Sequence, residues 1–277
     1  NFRPTGTGQS PLASVASFYE VTCPGCGGAA KRETDVSDTF LDSAWYYLRY
    51  PSVRDSAHPW NPEITKQWLP VTSYIGGAEH AVLHLLYSRF LAMVFHDWGL
   101  VDFEEPFTTF RAHGLIISGG AKMSKSRGNI VSPDPYLKTY GVDAIRLYLA
   151  FLAPFTEGGD FRDEGVTGMT RFLDRVWKFY QAPYQQPAVD EAVERALART
   201  IRKVTDDIEA LRYNTAISAL MVLLNQFEQH PDSVSREHRR TFLKLLAPFA
   251  PHITEELWHE LGEQQSIHLS AWPQAEE

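Results

Sequence analysis

Two lysines three residues apart lie in a loop rich in glycine and serine, residues 118–129, which reads SGGAKMSKSRGN. The ammonium groups of Lys122 and Lys125 can act as mobile point charges, while serine hydroxyls and backbone amides can donate to anionic oxygens. This combination indicates a polyphosphate site, and a solvated basic loop is the alternative interpretation. The spacing differs from the Walker A pattern, which requires GxxxxGK followed by Ser or Thr.

Five segments around this loop alternate in character. Two have the composition of buried strands, and three have the apolar spacing of helices. In chain order, the predicted elements are a strand over 71–77, a helix over 79–99, a strand over 108–118, and helices over 132–141 and 143–153. Because glycine turns join strands to helices, the alternation predicts an α/β fold with a parallel sheet.

Two short helices are predicted from individual residues. FLDSAWYYLRY, residues 40–50, is rich in aromatic side chains and predicts a short helix. In the segment 132–141, Ser132 suits the N-cap and Pro133 suits the first helical position, because proline has no N–H to leave unpaired there.

From residue 166 to about 262 the pattern changes to helices alone. Long amphipathic segments joined by short loops indicate a helical bundle. The helices are predicted over 167–181, 190–213, 214–229, 236–249 and 252–262. We therefore place a domain boundary near residue 160, between an α/β part and an all-α part.

Composition limits the class of protein. The chain has 277 residues, a formal net charge of −8 and 44% hydrophobic residues, which is ordinary for a globular protein and argues against a strongly basic coat for nucleic acid. Its two cysteines cannot form a disulfide framework. The most apolar stretch, LLYSRFLAMVF, is interrupted by Arg89 and is too short to cross a bilayer. With no signal peptide recognised at the start, we expect a cytoplasmic protein without membrane contact.

The loop residues AKMSKSRGN match the KMSKS signature of the class I aminoacyl-tRNA synthetases, including the Gly-Asn that follows it. Across nearly the whole chain, other segments resemble the bacterial-type leucyl-tRNA synthetase family. They are DTFLDSAWYYLRY, YIGGAEHAVLHLLYSRF, GNIVSPD and YGVDAIRLYL, then RFLDRVWKF, LRYNTAISALMVLLN and LLAPFAPHITEELW. Isoleucyl and valyl enzymes share the class signature, but the first two of these segments favour leucine.

The resemblance implies a domain order and an activity. It implies part of a zinc knuckle in the turn-rich residues 1–35, the C-terminal half of a Rossmann-type catalytic domain over 36–160, and an anticodon-binding-type α-helical bundle over 161–277. The implied reaction is the ATP- and Mg²⁺-dependent activation of leucine and its transfer to tRNA(Leu).

The resemblance also implies roles for individual residues. Lys122 and Lys125 are expected to be catalytic, closing on the departing pyrophosphate. The expected ATP-binding residues are Gly76, Gly77, Glu79, His113, Gly114, Lys122, Met123, Ser124, Lys125 and Ser126. The expected leucine pocket consists of Phe40, Ser43, Tyr46, His80 and His84.

Two residue pairs also suggest metal ligands. His80 and His84 have the HxxxH spacing of a zinc site, but Ala81 stands where a zinc protease has its glutamate. Packing or hydrogen bonding is the alternative role for this pair. Cys23 and Cys26 form a CxxC turn with two of the four ligands that structural zinc takes, and a free reduced pair is the alternative. In the family a second CxxC lies upstream, so Zn²⁺ is expected only together with those further ligands.

The second class I signature, His-x-Gly-His, does not occur in these residues, since no two of the ten histidines are three apart. We therefore expect the half that bears it to come from the same longer chain or from a separate subunit, and we expect this chain alone to be inactive. The alternative hypotheses are a non-catalytic module that binds tRNA or a partner, and a fragment of an isoleucyl- or valyl-type enzyme.

Overall fold

The computed structural model describes residues 6, 8–35, 41–183 and 190–275. Contacts along the chain divide it into two compact units, residues 1–111 and 112–277, and each unit is described by itself. Within the described ranges, no helix is both long and apolar enough to cross a membrane.

The first unit is built from short elements around a small aromatic core. Strands β1 and β2 pair antiparallel, and the core centres on Tyr47, Leu48 and Val101. The helices and strands are α1 (Ala16–Tyr19), β1 (Glu20–Thr22), β2 (Ala29–Lys31), α2 (Tyr46–Arg49), α3 (Pro62–Trp68), β3 (Tyr74–Gly77), α4 (His84–Asp97) and β4 (Phe110–His113), whose last two residues belong to the second unit. Single 3-10 turns lie at Pro11–Ser14, Asp42–Ala44, Tyr50–Ser52 and Ala78–Ala81.

Two helix predictions in this unit were wrong in extent. The helix predicted over 79–99 begins only at His84, because Leu83 has non-helical backbone angles, φ −110° and ψ −98°. The preceding residues form a 3-10 turn instead. The helix predicted over 40–50 is divided by Trp45, whose φ of −139° separates a 3-10 turn from α2.

The second unit combines a three-stranded sheet with a helical bundle. Strand β5 lies between β6, to which it is antiparallel, and β7, to which it is parallel. The elements are β5 (Leu115–Ser118), β6 (Ala121–Lys122), α5 (Asp134–Tyr140), α6 (Val142–Phe151), β7 (Gly158–Asp160), α7 (Asp163–Gln181), α8 (Glu191–Glu209), α9 (Tyr213–Gln229), α10 (Arg236–Leu246) and α11 (Pro251–Glu260), with 3-10 turns at Lys125–Arg127, Pro231–Ser233 and Ile267–Leu269. The α/β class followed by an all-α bundle is therefore confirmed.

A single apolar core runs from α6 through the bundle. Leu147 of α6, Leu220 of α9, Leu243 of α10 and Leu257 of α11 are all fully buried in it. Each lies on the apolar stripe of an amphipathic helix, so burial of these stripes from water drives the helices together. Because α6 packs in this core, it belongs to the same compact unit as the bundle helices. The domain boundary near residue 160 remains a prediction.

Two further predictions in this unit were wrong in detail. The strand predicted over 108–118 is broken at Gly114, whose amide donates to the Phe155 carbonyl at 2.8 Å, so β4 and β5 belong to different sheets. Ser132 does not cap α5, which begins at Asp134 with Pro133 in the N-cap position.

The break at Gly114 coincides with a very close approach of two backbones. A Cβ at Gly114 would lie 2.0 Å from the Gly158 nitrogen, and a Cβ at Gly158 would lie 2.1 Å from the Leu115 carbonyl oxygen. Gly158 also has a φ of +69°, which side chains other than glycine's rarely allow. Two glycines are therefore required where the strand and the turn meet.

We expect Gly114→Ala to destabilise the second unit by at least about 2 kcal/mol, because the new methyl group meets main-chain atoms that cannot move aside. Gly168→Ala is the matched control. Gly168 lies in α7 with open space where a Cβ would be placed, so alanine there is expected to be neutral or slightly stabilising. Urea unfolding measures both, and equal midpoints for the two variants would contradict the close approach.

A buried carboxylate holds the connection between α8 and α9. Asp207 is fully buried and accepts hydrogen bonds from Arg212 Nε at 2.8 Å, from Thr215 Oγ1 at 2.7 Å and from Lys203 Nζ. Burial disfavours the ionised carboxylate, but the bonds from these three donors outweigh it and lower the pKa of Asp207. The same turn contains Leu211, which has a φ of +57°.

Asp207→Asn is expected to lower the free energy of unfolding by about 1–3 kcal/mol at neutral pH, because the partly exposed Lys203 and Arg212 lose their counter-charge. Since the folded-state pKa is depressed, this stabilisation is present above the unfolded-state value of about 4 and is lost as the pH falls through the folded-state pKa. Urea unfolding at several pH values should show the difference shrinking below about pH 4. Asp206→Asn, at an exposed neighbour on the same helix, should change little.

Candidate active site

The lysine-bearing loop begins as a tight hairpin. Strands β5 and β6 pair with Ser118 opposite Ala121 and Ile117 opposite Lys122. The two residues between them, Gly119 and Gly120, have φ values of +62° and +74°. Two-residue hairpin turns with positive φ at both positions match the twist of the flanking strands. The hairpin therefore places Lys122 at the end of strand β6.

The second lysine lies on a short helical turn. Lys125 begins the 3-10 turn Lys125–Arg127, which ends at Gly128 with a left-handed φ of +66°. Ser124 Oγ and Ser126 Oγ are 3.2 Å apart. The side chains of Lys122 and Lys125 are exposed, so their ammonium groups are accessible to an anion.

Asn129, the last residue of this loop, bonds to both of its lysine-bearing parts, although it was not among the predicted site residues. Its carboxamide oxygen accepts from the Ser124 amide at 2.9 Å, and its nitrogen lies 3.2 Å from the Lys122 carbonyl oxygen. The Gly-Asn of the sequence motif was a signal for this residue, but its type alone did not specify these partners.

His113 and Gly114 lie beside a cavity of about 390 Å³ in the second unit, lined by residues of β5, the end of α6 and the turn before β7. The Nδ1 of His113 is 2.8 Å from the Gly114 carbonyl oxygen, so Nδ1 carries the proton that it donates. The ring also contacts Phe155 edge-on, with centroids 6.1 Å apart. Gly114, predicted to bind ATP, is also required for a structural reason, because a Cβ there would meet the Gly158 backbone.

In the first unit, the two glycines at the end of β3 leave room for their neighbours. A Cβ at Gly76 would lie 3.1 Å from Cε1 of Tyr74, and one at Gly77 would lie 2.4 Å from a carboxylate oxygen of Glu79. Glycine at position 77 therefore lets the exposed Glu79 fold back against the main chain.

His84 is the centre of an aromatic cluster in the same unit. Its ring stacks on Tyr74 with centroids 5.3 Å apart, and it lies 5.4 Å from Tyr46 and 6.1 Å from Phe107. Its Nε2 is 2.8 Å from the carbonyl oxygen of Ser43 and 3.2 Å from Ser88 Oγ. Since a carbonyl only accepts, Nε2 carries a proton, and in the neutral ring Nδ1 is the acceptor.

Buried nitrogen atoms point to unused hydrogen-bonding capacity in this cluster. Within the described ranges, the Nδ1 atoms of His80 and His84 are buried and have no hydrogen-bond partner. Burial raises the pKa of Tyr46 and of Tyr74 above the ordinary value of about 10, at which a phenol is already protonated at neutral pH. The arrangement is a ring-lined, largely apolar surface with a few polar atoms, which suits an aliphatic side chain with an adjacent polar group.

The structure brings together four of the five predicted leucine-pocket residues, Ser43, Tyr46, His80 and His84. The fifth, Phe40, lies outside the described residues. Sequence reasoning missed Tyr74 and Phe107, whose rings are 4.9 Å apart and both contact His84. Tyr74 could have been found, because it is two residues from Gly76 on the same face of a strand.

The two histidines do not form a recognisable metal centre. Their ring centroids are 6.3 Å apart. In the part of the chain that the structure describes, no group of three His, Cys, Asp or Glu side chains is arranged to hold a metal ion.

The cysteine pair occupies the turn of the β1–β2 hairpin. The Cys23 amide donates to the Gly28 carbonyl at 2.8 Å, and the Gly27 amide donates to the Cys23 carbonyl at 2.9 Å. Backbone hydrogen bonds from Cys26 and Gly25 lower the pKa of the Cys23 thiol, which favours the metal-binding thiolate. The residues present supply two thiolates, so they fit half of a tetrahedral zinc site.

Family models match both parts of the chain. The model of class I tRNA synthetases (I, L, M and V) matches residues 23–161, and that of the anticodon-binding domain of tRNA ligases matches residues 190–277.

Curated relatives extend this match over nearly the whole chain. A leucine–tRNA ligase of Dehalococcoides mccartyi is 45% identical over 280 residues, 98% of this chain and 34% of the relative. One of Thermotoga maritima is 45% identical over 289 residues, 96% of this chain and 35% of the relative. The chain thus spans about a third of the length of the curated relatives it matches.

Solved structures agree with the sequence matches. The ternary complex of Agrobacterium radiobacter K84 agnB2 LeuRS with tRNA and LeuAMS is 37% identical with a TM-score of 0.81, over 96% of this chain and 37% of that one. Mycobacterium tuberculosis methionyl-tRNA synthetase bound by methionyl-adenylate shares the fold, with a TM-score of 0.59 at 18% identity over 81% of this chain and 49% of that one. The hairpin with its two lysines, the family models and these relatives together show that the chain belongs to the class I tRNA synthetases of the I, L, M and V group.

Proposed function

We propose that this chain is part of a leucine–tRNA ligase, which activates leucine with ATP and transfers it to tRNA(Leu). The observation that carries the proposal is the 45% identity with leucine–tRNA ligases over 98% of the chain. The half that bears His-x-Gly-His comes from the same longer chain or from a separate subunit. Without it, the chain is inactive, and the cytoplasm is its proposed location.

In the first step of this reaction, a carboxylate oxygen of leucine attacks the α-phosphorus of ATP. The bond to the bridging oxygen breaks, so that pyrophosphate leaves and leucyl-adenylate remains. Lys122 and Lys125 close on the pyrophosphate, and their contacts strengthen as negative charge builds on it in the transition state. In the second step, a terminal ribose hydroxyl of tRNA attacks the acyl carbon and loses its proton, the bond from this carbon to the phosphate oxygen breaks, and AMP leaves.

Residues in the two units have separate proposed roles. The aromatic cluster around His84 receives the leucine side chain, while Gly76, Gly77 and Glu79 approach the adenosine end. In the second unit, His113 and Gly114 bind ATP beside the cavity that they line. Met123, Ser124 and Ser126 bind ATP next to the two lysines, through main-chain groups and the serine hydroxyls.

Metal ions have supporting roles in this proposal. Mg²⁺ that enters with ATP would neutralise phosphate charge, since such ions are commonly held by substrate phosphates and only one or two carboxylates. Cys23 and Cys26 supply half of a Zn²⁺ site, which is complete only with further ligands.

The helical bundle is proposed to bind tRNA. Arg195, Arg199 and Arg202 lie four and three residues apart along the exposed side of α8, and this spacing puts them on one face. Arg195 pairs with Glu191 at 2.9 Å in this structure. Phosphate contacts by such arginines would make binding weaken with rising salt.

We expect Lys125→Ala to slow leucine-dependent ATP–pyrophosphate exchange by about 10²–10³-fold, because a transition-state contact to the pyrophosphate is lost. The assay uses this chain combined with the His-x-Gly-His half of a leucine–tRNA ligase. Lys138→Ala, at an exposed lysine of α5, is the matched control and should leave exchange unchanged.

Three outcomes of this assay decide between the functions. Exchange that Lys125→Ala does not affect contradicts the role given to the loop. If isoleucine or valine drives exchange better than leucine, the leucine assignment is wrong. If the combined halves bind tRNA(Leu) but never support exchange, the second candidate is favoured, a non-catalytic tRNA- or partner-binding module. That candidate is compatible with a chain that spans a third of its relatives.

Tyr74→Ala should raise the KM for leucine by about 10–100-fold in the same assay and leave the KM for ATP nearly unchanged. The reason is that removal of the ring opens the aromatic surface proposed to hold the leucine side chain. Trp68→Ala is the control, because Trp68 is 71% exposed on α3 of the same unit. Equal increases in both KM values would argue against a leucine-specific role for the cluster.

A further inference from the structure

Asn129 is bonded to both arms of the KMSKS loop. Its oxygen accepts from the Ser124 amide, on the arm that leads to the 3-10 turn. Its nitrogen lies 3.2 Å from the Lys122 carbonyl oxygen, 3.3 Å from that of Ser118 and 3.4 Å from that of Ala121, all on the hairpin arm. One planar carboxamide therefore connects the two segments that carry the lysines.

The chemistry of this contact requires a carboxamide. The oxygen has to accept while the nitrogen donates, and an aspartate in its place could only accept. The NH₂ group has two hydrogens for three carbonyls at 3.2–3.4 Å, so these longer bonds are shared. The Ser124 bond, at 2.9 Å, is the shortest of the set.

The contact constrains the main chain and leaves the lysine side chains free to act. Lys122 is held through its carbonyl, and Lys125 directly follows the residue whose amide is bound. Both side chains are exposed. A main chain fixed before the anion arrives reduces the entropy lost when two flexible lysines bind one ligand.

We propose that Asn129 is a positioning residue, which holds the main chain of the KMSKS loop so that Lys122 and Lys125 can contact one pyrophosphate together. The identity of the anion as pyrophosphate rests on the proposed function, whereas the ordering of the loop by Asn129 does not. Asn129 does not itself touch the reacting atoms in this mechanism.

The test is limited trypsin digestion of the whole chain, with and without inorganic pyrophosphate. Cleavage after Lys122, Lys125 and Arg127 is followed by mass spectrometry. Asn129→Ala and Asn129→Asp should speed cleavage at these sites by about tenfold, because the loop opens more often once its link is lost. The pyrophosphate concentration that gives half-protection should rise by a similar factor. Asn214→Asp makes the same charge change on α9 and is the control.

A thermal melt accompanies the digestion, because a general loss of folding would also expose the loop. Faster cleavage with an unchanged Tm and weaker protection by pyrophosphate supports the proposal. Cleavage at the wild-type rate, or protection at the wild-type concentration, overturns it. If pyrophosphate does not protect the wild-type chain either, the anion assigned under the proposed function is wrong. The cleavage rates without pyrophosphate then still decide whether Asn129 orders the loop.

Discussion

The contact of Gly114 with Gly158 is the constraint on which the α/β part of the second unit depends. Neither position has space for a Cβ, so the parallel pairing of β5 with β7 requires glycine on both sides. This pairing sets the direction in which β5 enters the hairpin, and the hairpin in turn places Lys122. The position of the lysine-bearing loop, which is proposed to bind polyphosphate, therefore depends on two residues without side chains.

Within the loop, the main chain is constrained while the charged groups remain exposed. Glycines at 119, 120 and 128 adopt left-handed backbone angles, and the Asn129 carboxamide joins the arms between them. Exposed ammonium groups keep their hydration and their rotamer freedom until an anion is present. This separation suits the proposed role of the loop in binding ATP and releasing pyrophosphate, because the backbone is ordered beforehand and the side chains can make reversible contacts.

Sequence patterns predicted the parts that depend on local or periodic signals. The bundle helices, the glycine turns and the α/β class all follow from spacing that a single strand or helix carries. The break at Gly114 could not be predicted, because it depends on contacts with Phe155 and Gly158, which are distant in the sequence. The late start of α4 at His84 follows from the backbone angles of Leu83, which the apolar spacing did not reveal. Phe107 was missed for the same reason as the break at Gly114, because its contacts with His84 and Tyr74 join residues that are far apart in the sequence. Tyr74 and Asn129 had local signals, the strand of Gly76 and the Gly-Asn of the motif, but their residue types alone did not specify their partners.

His84 illustrates how packing determines chemistry in the first unit. The Ser43 carbonyl requires a proton on Nε2, and this leaves Nδ1 as an acceptor in the neutral ring. Tyr46 and Tyr74 contact that ring, and their phenols are uncharged at neutral pH, as for any tyrosine of ordinary or raised pKa. A surface of this kind discriminates by shape and apolar contact, where one methylene is worth only about 1–3 kcal/mol. If this cluster binds leucine as proposed, its selection among aliphatic amino acids is expected to be modest, and the few polar atoms that packing has left unpaired would orient the bound amino acid.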